Sequence, residues 1–290
     1  MLAAGALASP APTNQFGDVY GDPRETDQGD ANLIFNTAVR SAAADYVDRA
    51  FAALGTDFGA VRLGGGRWGE LSYPPAKYNG HPNAYWGFDL NAVRLAPTYD
   101  WRPGQPQPDA EASVFINWYL DALVDYQNWQ IATVRRSYAG LIMMLYPGWG
   151  IRPGQLDEAI HSDLNGSSSG EVNGELEGGF DFARQIAAIT DARVVVTTTW
   201  LDADASHDSD SQSRGWSPVK YLASLANAHP LKLQLYGENT GHGSIAAVEL
   251  AVHQVRRFGL IGMAWFNESE VLGGQSATLA DLASIVGSAV

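Results

Sequence analysis

The sequence predicts an α/β fold organised around a parallel sheet or barrel, and three features carry that prediction. Five short apolar runs are each preceded by a helix-prone stretch. The runs are near-continuously apolar rather than alternating, as in strands covered on both faces. The segments between them are long enough for the crossover helices that parallel strands require.

The elements follow in order. Residues 36–54 place Val39, Ala43, Tyr46, Val47, Ala50, Phe51 and Leu54 at helical spacing, with Arg40, Asp45 and Asp48 opposite, which predicts an amphipathic helix. Residues 58–63 form an apolar run closed by Gly64-Gly65-Gly66 and read as the first strand. A long helix over about 111–136 precedes a strand at 141–146, and a helix over about 171–189 precedes a strand at 193–200. The core of that last strand, Val194-Val195-Val196-Thr197-Thr198-Thr199, is strongly β-prone. Ser217-Pro218 supplies an N-cap and first helical residue for a helix to about 228, before a strand at 231–236. Ser244 caps a helix to about 257, a strand follows at 260–266, and the final helix spans roughly 278–286. Residues 1–30 are expected to form an irregular N-terminal segment and residues 31–290 a single domain.

Composition removes several function classes. Of 290 residues, 46% are hydrophobic and 17% charged, and no stretch reaches the roughly 18 consecutive apolar residues of a membrane helix. Eighteen Lys and Arg stand against 32 Asp and Glu, a net charge of −14 that repels a phosphate backbone. An integral membrane protein and a nucleic-acid binder are therefore not expected. The absence of cysteine removes disulfides, thiolate zinc sites and cysteine nucleophiles but leaves the compartment, cytoplasmic or secreted, open. Residues 1–12 are small and apolar without a basic leader, and read as a frayed terminus or the remnant of a trimmed signal.

In parallel α/β folds functional groups gather past the carboxyl ends of the strands. That rule selects Arg67, Trp68 and Glu70 after the first strand, Pro147 and Trp149 after the second, and Trp200, Asp202 and Asp204 after the third. It adds Glu238 and Asn239 after the fourth and Trp265, Asn267 and Glu268 on the fifth. Glu70 and Glu238 stand out, each inside a glycine-containing turn. Hydrolysis of a glycosidic bond needs one carboxylic acid to protonate the leaving oxygen and a second carboxylate to activate water or attack the sugar. A solvated loop glutamate, or one paired with a neighbouring arginine such as Arg67, is the blander reading of either residue. Aromatic residues surround them: Trp68, Tyr73, Tyr85, Trp86, Trp149, Trp200, Tyr236 and Trp265 all fall at or soon after strand ends. Rings there could stack on sugar faces, although core packing is the commoner fate of any single ring.

Other chemistries find less support. The six histidines show no metal-ligand spacing, and Gly64-Gly65-Gly66 is neither a P-loop nor a dinucleotide fingerprint. Asp202, Asp204, Asp208 and Asp210 lack the glycine and terminal glutamate of an EF-hand loop and read as a solvated acidic loop. Ser167-Ser168-Ser169-Gly170 reads as a flexible loop, not a nucleophile elbow. No metal or cofactor is expected.

The segment Val61-Arg-Leu-Gly-Gly-Gly-Arg-Trp-Gly-Glu-Leu-Ser-Tyr-Pro74 resembles the general-acid segment of the β-amylase family, and Gly237-Glu238-Asn239 resembles that family's general-base segment. Phe115-x-x-Trp118-Tyr119, opening a long helix before a strand, is similar in outline. The resemblance implies a glycoside hydrolase of the TIM-type (β/α) barrel, with Glu70 as acid, Glu238 as base and Asn239 as a subsite residue. Barrel β-galactosidases, with acid/base and nucleophile glutamates after the fourth and seventh strands, are similar more distantly. Three positions depart from these patterns: Tyr146-Pro-Gly-Trp149 stands where β-amylases carry a substrate-binding lysine, Met263-Ala-Trp-Phe-Asn267 lacks their eighth-strand arginine, and Gly69 replaces the asparagine before the β-galactosidase acid/base.

If Glu70 follows barrel strand four and Glu238 strand seven, the chain holds only the C-terminal five βα units, strands 4–8, which cannot close an eight-stranded barrel. The expected partners are then an oligosaccharide or polysaccharide and either the missing N-terminal barrel half or a second copy covering the open edges. Expected substrate-binding residues are Arg67, Trp68, Tyr73, Trp86, Trp149, Trp200, Asp202, Tyr236, Asn239 and Trp265. A non-catalytic carbohydrate-binding barrel fragment, or an assembly subunit with structural glutamates, remains the alternative.

Overall fold

In the computed structural model, the described residues are 11–21, 31–97, 100–106, 109–240, 244–265, 269, 272–273 and 277–287. Helix α1 (Thr37–Leu54) begins where the Asn36 side chain accepts the Ala38 and Val39 N–H groups, and it stops at Gly55 in left-handed backbone. Strands β1 (Ala60–Leu63), β2 (Leu141–Tyr146), β3 (Val194–Thr198), β4 (Gln234–Glu238) and β5 (Met263–Ala264) are all parallel and lie side by side in sequence order. This sheet is half of a barrel. The register puts Arg62 beside Met143, Met143 beside Val195, Val195 beside Gln234, and Thr197 beside Tyr236, so these residues share the concave face.

The convex face carries the core. Ile142, Met144, Tyr146, Val194 and Val196 alternate with the concave residues and are fully buried. Tyr146 shows what covers them: its hydroxyl donates to Gln127 Oε1 on α3 (Asp109–Arg135) at 2.9 Å, and its ring meets Phe182 edge-on. The remaining helices are α2 (Leu90–Leu95), α4 (Gln155–His161), α5 (Ser169–Val172), α6 (Phe182–Ala187), α7 (Pro218–Ala228), α8 (Ile245–Arg257) and α9 (Leu279–Gly287). Ser217 and Ser244 cap α7 and α8 through their hydroxyls, with Pro218 in the first turn of α7. Among the described residues no helix is long and apolar enough to cross a membrane.

Four sequence expectations need correction. The helix expected over 171–189 is two short helices, α5 and α6, separated by residues 173–181. Gly174 and Gly179 adopt left-handed backbone in that interval and break the helix. The strand expected at 231–236 lies further along, at Gln234–Glu238, because Lys232 takes a positive φ in the turn after α7. The serine run 167–170 is ordered as the start of α5, where Glu171 Oε2 accepts the Ser168 N–H. Asp208 is buried, not solvated: it accepts from the Ser217 N–H and hydroxyl and pairs with Arg257 at 3.2 Å. Residues 11–21 run irregularly but are tied down, with Tyr20 packed edge-on against Trp86 and Gln15 Nε2 donating to Asn83 O. Asn267 and Glu268 lie outside the described residues.

Candidate active-site cleft

Glu70 reaches the carboxyl end of the sheet on a tightly folded glycine turn. A Cβ on Gly64 would fall 2.0 Å from the Gly69 carbonyl oxygen, so only glycine lets the strand end lie directly against the segment that carries Glu70. The Gly66 N–H donates to Glu70 O at 2.7 Å, and the Leu71 N–H donates to Leu145 O at the end of β2. These bonds fix the backbone on both sides of the glutamate. Trp68, at the apex, holds a φ of 66°, a conformation a bulky residue rarely adopts, and leaves its indole 69% exposed.

The Glu70 carboxyl is largely withdrawn from water, and burial raises its pKa. Thr199 Oγ1, buried and without a hydrogen-bond partner of ordinary geometry, lies near enough to counter the rise. The negative charge of Glu238 adds to it, and Arg62 opposes it. Glu238 ends β4 with its side chain buried, and its Oε2 accepts from Arg62 Nη2 at 2.6 Å. The Leu201 N–H donates to Glu238 O, and Asp202 braces the next turn by accepting the Thr240 N–H and hydroxyl.

Both carboxyls open into one cleft of about 890 Å³ at the C-terminal end of the sheet. Arg62, Trp68, Glu70, Pro147, Glu175, Phe180, Thr199, Trp200, Glu238 and Asn239 are among its lining residues. The cleft thus unites Trp68, Glu70, Trp200, Glu238 and Asn239 from the sequence-derived set. Trp149 stands at its edge, its ring 6.5 Å from that of Trp200 and nearly perpendicular to it. Tyr236 lies beside the pair: burial raises its hydroxyl pKa, and the charges of Arg62 and Glu238 both reach it.

The other expected residues sit elsewhere. Trp86 is fully buried with its Nε1 donating to Pro75 O, and Tyr73 stacks on Tyr119 with ring centroids 3.8 Å apart. Tyr85 is likewise buried, its hydroxyl bonded to Glu171 Oε1. Trp86 and Tyr85 have no exposed face and belong to the core, while Tyr73, also packed there, borders a smaller pocket that Trp68 and Glu70 line. Trp265 packs partly buried against the cluster of Val248, Val252 and Ala277, and Asp202 is a loop brace. The side chain of Arg67 is outside the described set. No group of three or more His, Asp or Glu among the described residues is arranged to hold a metal ion.

The sequence reading missed Arg62, Thr199, Phe180 and Glu175. Arg62 had a legible signal, a lone charge inside the four-residue strand Ala60–Leu63. Glu175 had none, because its segment read as helix. It comes from the interval between α5 and α6, where Glu175 and Glu177 are both buried close to Glu171 of α5. Burial pushes the Glu175 pKa up to about 7, against bonds from the Gly150 and Trp149 N–H groups and the charge of Arg152. Burial pushes Glu177 further, to about 9, and neither of its carboxyl oxygens has a hydrogen-bond partner.

No family model and no curated protein matches this sequence. Among solved structures, the chain is similar to the catalytic domain of β-amylase from Paenibacillus polymyxa, with a TM-score of 0.65 at 16% identity. That match covers 99% of this chain and 75% of the other. At this identity the likeness establishes the fold, a partial barrel of the type that β-amylase domain has.

Proposed function

We propose that the protein is a glycoside hydrolase in which Glu70 is the general acid and Glu238 the general base or nucleophile, acting on a neutral oligosaccharide or polysaccharide. The observation that carries this reading is the convergence of two carboxyls in unlike settings on one cleft. An acid must hold its proton until the leaving oxygen takes it, and the desolvated pocket of Glu70, with a like charge nearby, favours the protonated form. The partner must be charged, and Glu238 is ion-paired with Arg62. The half-buried Trp200 and the exposed Trp68 offer ring faces for sugar stacking, and Asn239 lines the cleft beside them. The fold shared with a β-amylase catalytic domain supports the same class. The lysine and arginine of the β-amylase pattern are replaced here, so an α-1,4-glucan is not singled out as the substrate.

One observation favours a second reading, a non-catalytic carbohydrate-binding protein. The Arg62 guanidinium occupies Glu238 Oε2, an oxygen that a base or nucleophile needs free for water or sugar. Sugar release from a panel of aryl glycosides and polysaccharides separates the two. The hydrolase reading expects turnover that falls about 10²–10⁴-fold in both Glu70→Gln and Glu238→Gln. Saturable sugar binding without turnover by the unmodified chain would favour the binding protein.

A further inference from the structure

Glu175 is a third carboxyl on the wall of the cleft that holds Glu70 and Glu238. It is 8% exposed, and its chain position is fixed by hydrogen bonds from its own N–H to Gly170 O and from the Phe180 N–H to its carbonyl. The turn after β2 is folded around its side chain. The Gly150 N–H donates to Glu175 Oε2 at 2.7 Å, and both Gly148 and Gly150 take left-handed backbone. A Cβ on Gly148 would stand 2.9 Å from Oε2 and 3.1 Å from Oε1, so glycine is what allows the backbone to approach the carboxyl so closely. Between these glycines lies Trp149, which forms the perpendicular aromatic corner with Trp200.

The local fold does not need a carboxyl there. An amide oxygen, with two lone pairs, could accept the Gly150 and Trp149 N–H groups without the cost of burying an ionisable group. The nearest cation offers little in exchange: the Arg152 guanidinium is bonded to the carbonyls of Trp149, Gly150, Ser213 and Trp216. Burial raises the pKa of Glu175 to about 7, so near neutrality it can either donate to or accept from a hydroxyl. A carboxyl whose burial outweighs the groups that compensate it, beside an aromatic corner in a cleft, is a combination suited to a sugar, whose face stacks while its hydroxyl is bonded.

We propose that Glu175 is a specificity-determining residue: one carboxyl oxygen anchors the Gly148–Gly150 turn, and the carboxyl hydrogen-bonds a hydroxyl of the sugar unit lodged at the Trp149–Trp200 corner. This rests on the carbohydrate reading above. The test measures affinity calorimetrically for maltotriose, cellotriose, xylotriose and β-1,4-galactotriose in the Glu70→Gln background, which slows turnover about 10²–10⁴-fold. Glu175→Ala and Glu175→Gln are then compared with their parent on the best-bound trisaccharide and on its monodeoxy derivatives, and melting temperature reports folding.

The expected result is a loss of affinity of about 10- to 100-fold for Glu175→Ala on the parent sugar, with no further loss on the one derivative that lacks the bonded hydroxyl. Glu175→Gln keeps the anchor to Gly150 and is expected to show a smaller loss with the same dependence on that one hydroxyl. It decides the matter alone if the alanine variant does not fold. Equal losses across every derivative would assign Glu175 to turn positioning only, and unchanged affinities would remove it from binding; either overturns the proposal. A parent chain that binds none of the four sugars would overturn the carbohydrate reading, and this proposal with it.

Discussion

Two pairs of glutamates near the same cleft have opposite electrostatic settings. Glu238 has Arg62 at 2.6 Å, and Glu70 feels that same guanidinium from a partly desolvated pocket open to the cleft. Glu175 and Glu177 lie deeper in the interval between α5 and α6, and Glu177 has no hydrogen-bond partner on either oxygen. In the first pair, unequal solvation and the shared Arg62 set the two carboxyls apart, as the proposed acid and its partner require. In the second, burial outweighs what opposes it, the backbone N–H groups and Arg152 charge at Glu175 included, and the native state carries a stability cost that grows with pH. The pairs therefore answer substitution differently: change at Glu70 or Glu238 should fall on turnover, and change at Glu177 on stability.

The largest expected effect sharpens the first half of this comparison. Glu70→Gln and Glu238→Gln should each lower kcat by about 10²–10⁴-fold while leaving the melting temperature near that of the parent. Circular dichroism during heating and initial-rate kinetics on one preparation check both parts.

The next effect tests the second pair. Folding raises the Glu177 pKa to about 9, from about 4.3 in an unfolded chain. Between those values the unfolded chain releases a proton that the folded chain keeps, so this group lowers folding stability progressively as pH rises through that window. Below it both states are protonated and the group has no effect. Glu177→Gln should therefore stabilise the protein by several kcal/mol at pH 9 and hardly at all at pH 4. Denaturant unfolding at the two pH values measures the difference, and an equal effect at both would show that ionisation of Glu177 is not the cause.

A smaller effect concerns the scaffold. Ser217 caps α7 and also donates to the buried Asp208, so Ser217→Ala should cost about 1–2 kcal/mol, read as a lowered melting temperature with kcat unchanged. The smallest effect is a displacement of the alkaline limb of the pH–rate profile. If Glu70 is the acid, activity needs its protonated form and is lost as pH rises through its pKa. Arg62 holds that pKa down, so Arg62→Gln should move the limb to higher pH by a fraction of a unit. A limb that stays in place would detach Arg62 from the acid.

Much of the fold was legible because its signals are local. Ser217 and Ser244 cap where the sequence places caps, and the run 141–146 is a strand from end to end. Glu70 and Glu238 were legible for the same reason, since a glycine turn after an apolar run marks a strand end. The segment 171–189 was not, because its helix-forming residues are overridden by glycines at 174, 178 and 179 that fold it back under the cleft. Glu175 reaches the site by that detour, which no periodicity announces. Tyr73 and Trp86 were misplaced because closeness to a strand end does not say which way a ring turns; both turn inward, where Tyr119 and Tyr78 receive them. Helices α2 and α4, at six and seven residues, are too short for a helical period to show.

The division of labour between Glu70 and Glu238 is tested most directly by leaving-group dependence. Rates of Glu70→Gln, Glu238→Gln and the parent would be compared on aryl glycosides whose phenols range from strongly to weakly acidic. If Glu70 protonates the leaving oxygen, its variant should lose at least about 100-fold on the weakly acidic phenols and far less on the most acidic, which depart without a proton, while Glu238→Gln loses equally across the series. Equal losses across the series for Glu70→Gln would contradict its role as the acid.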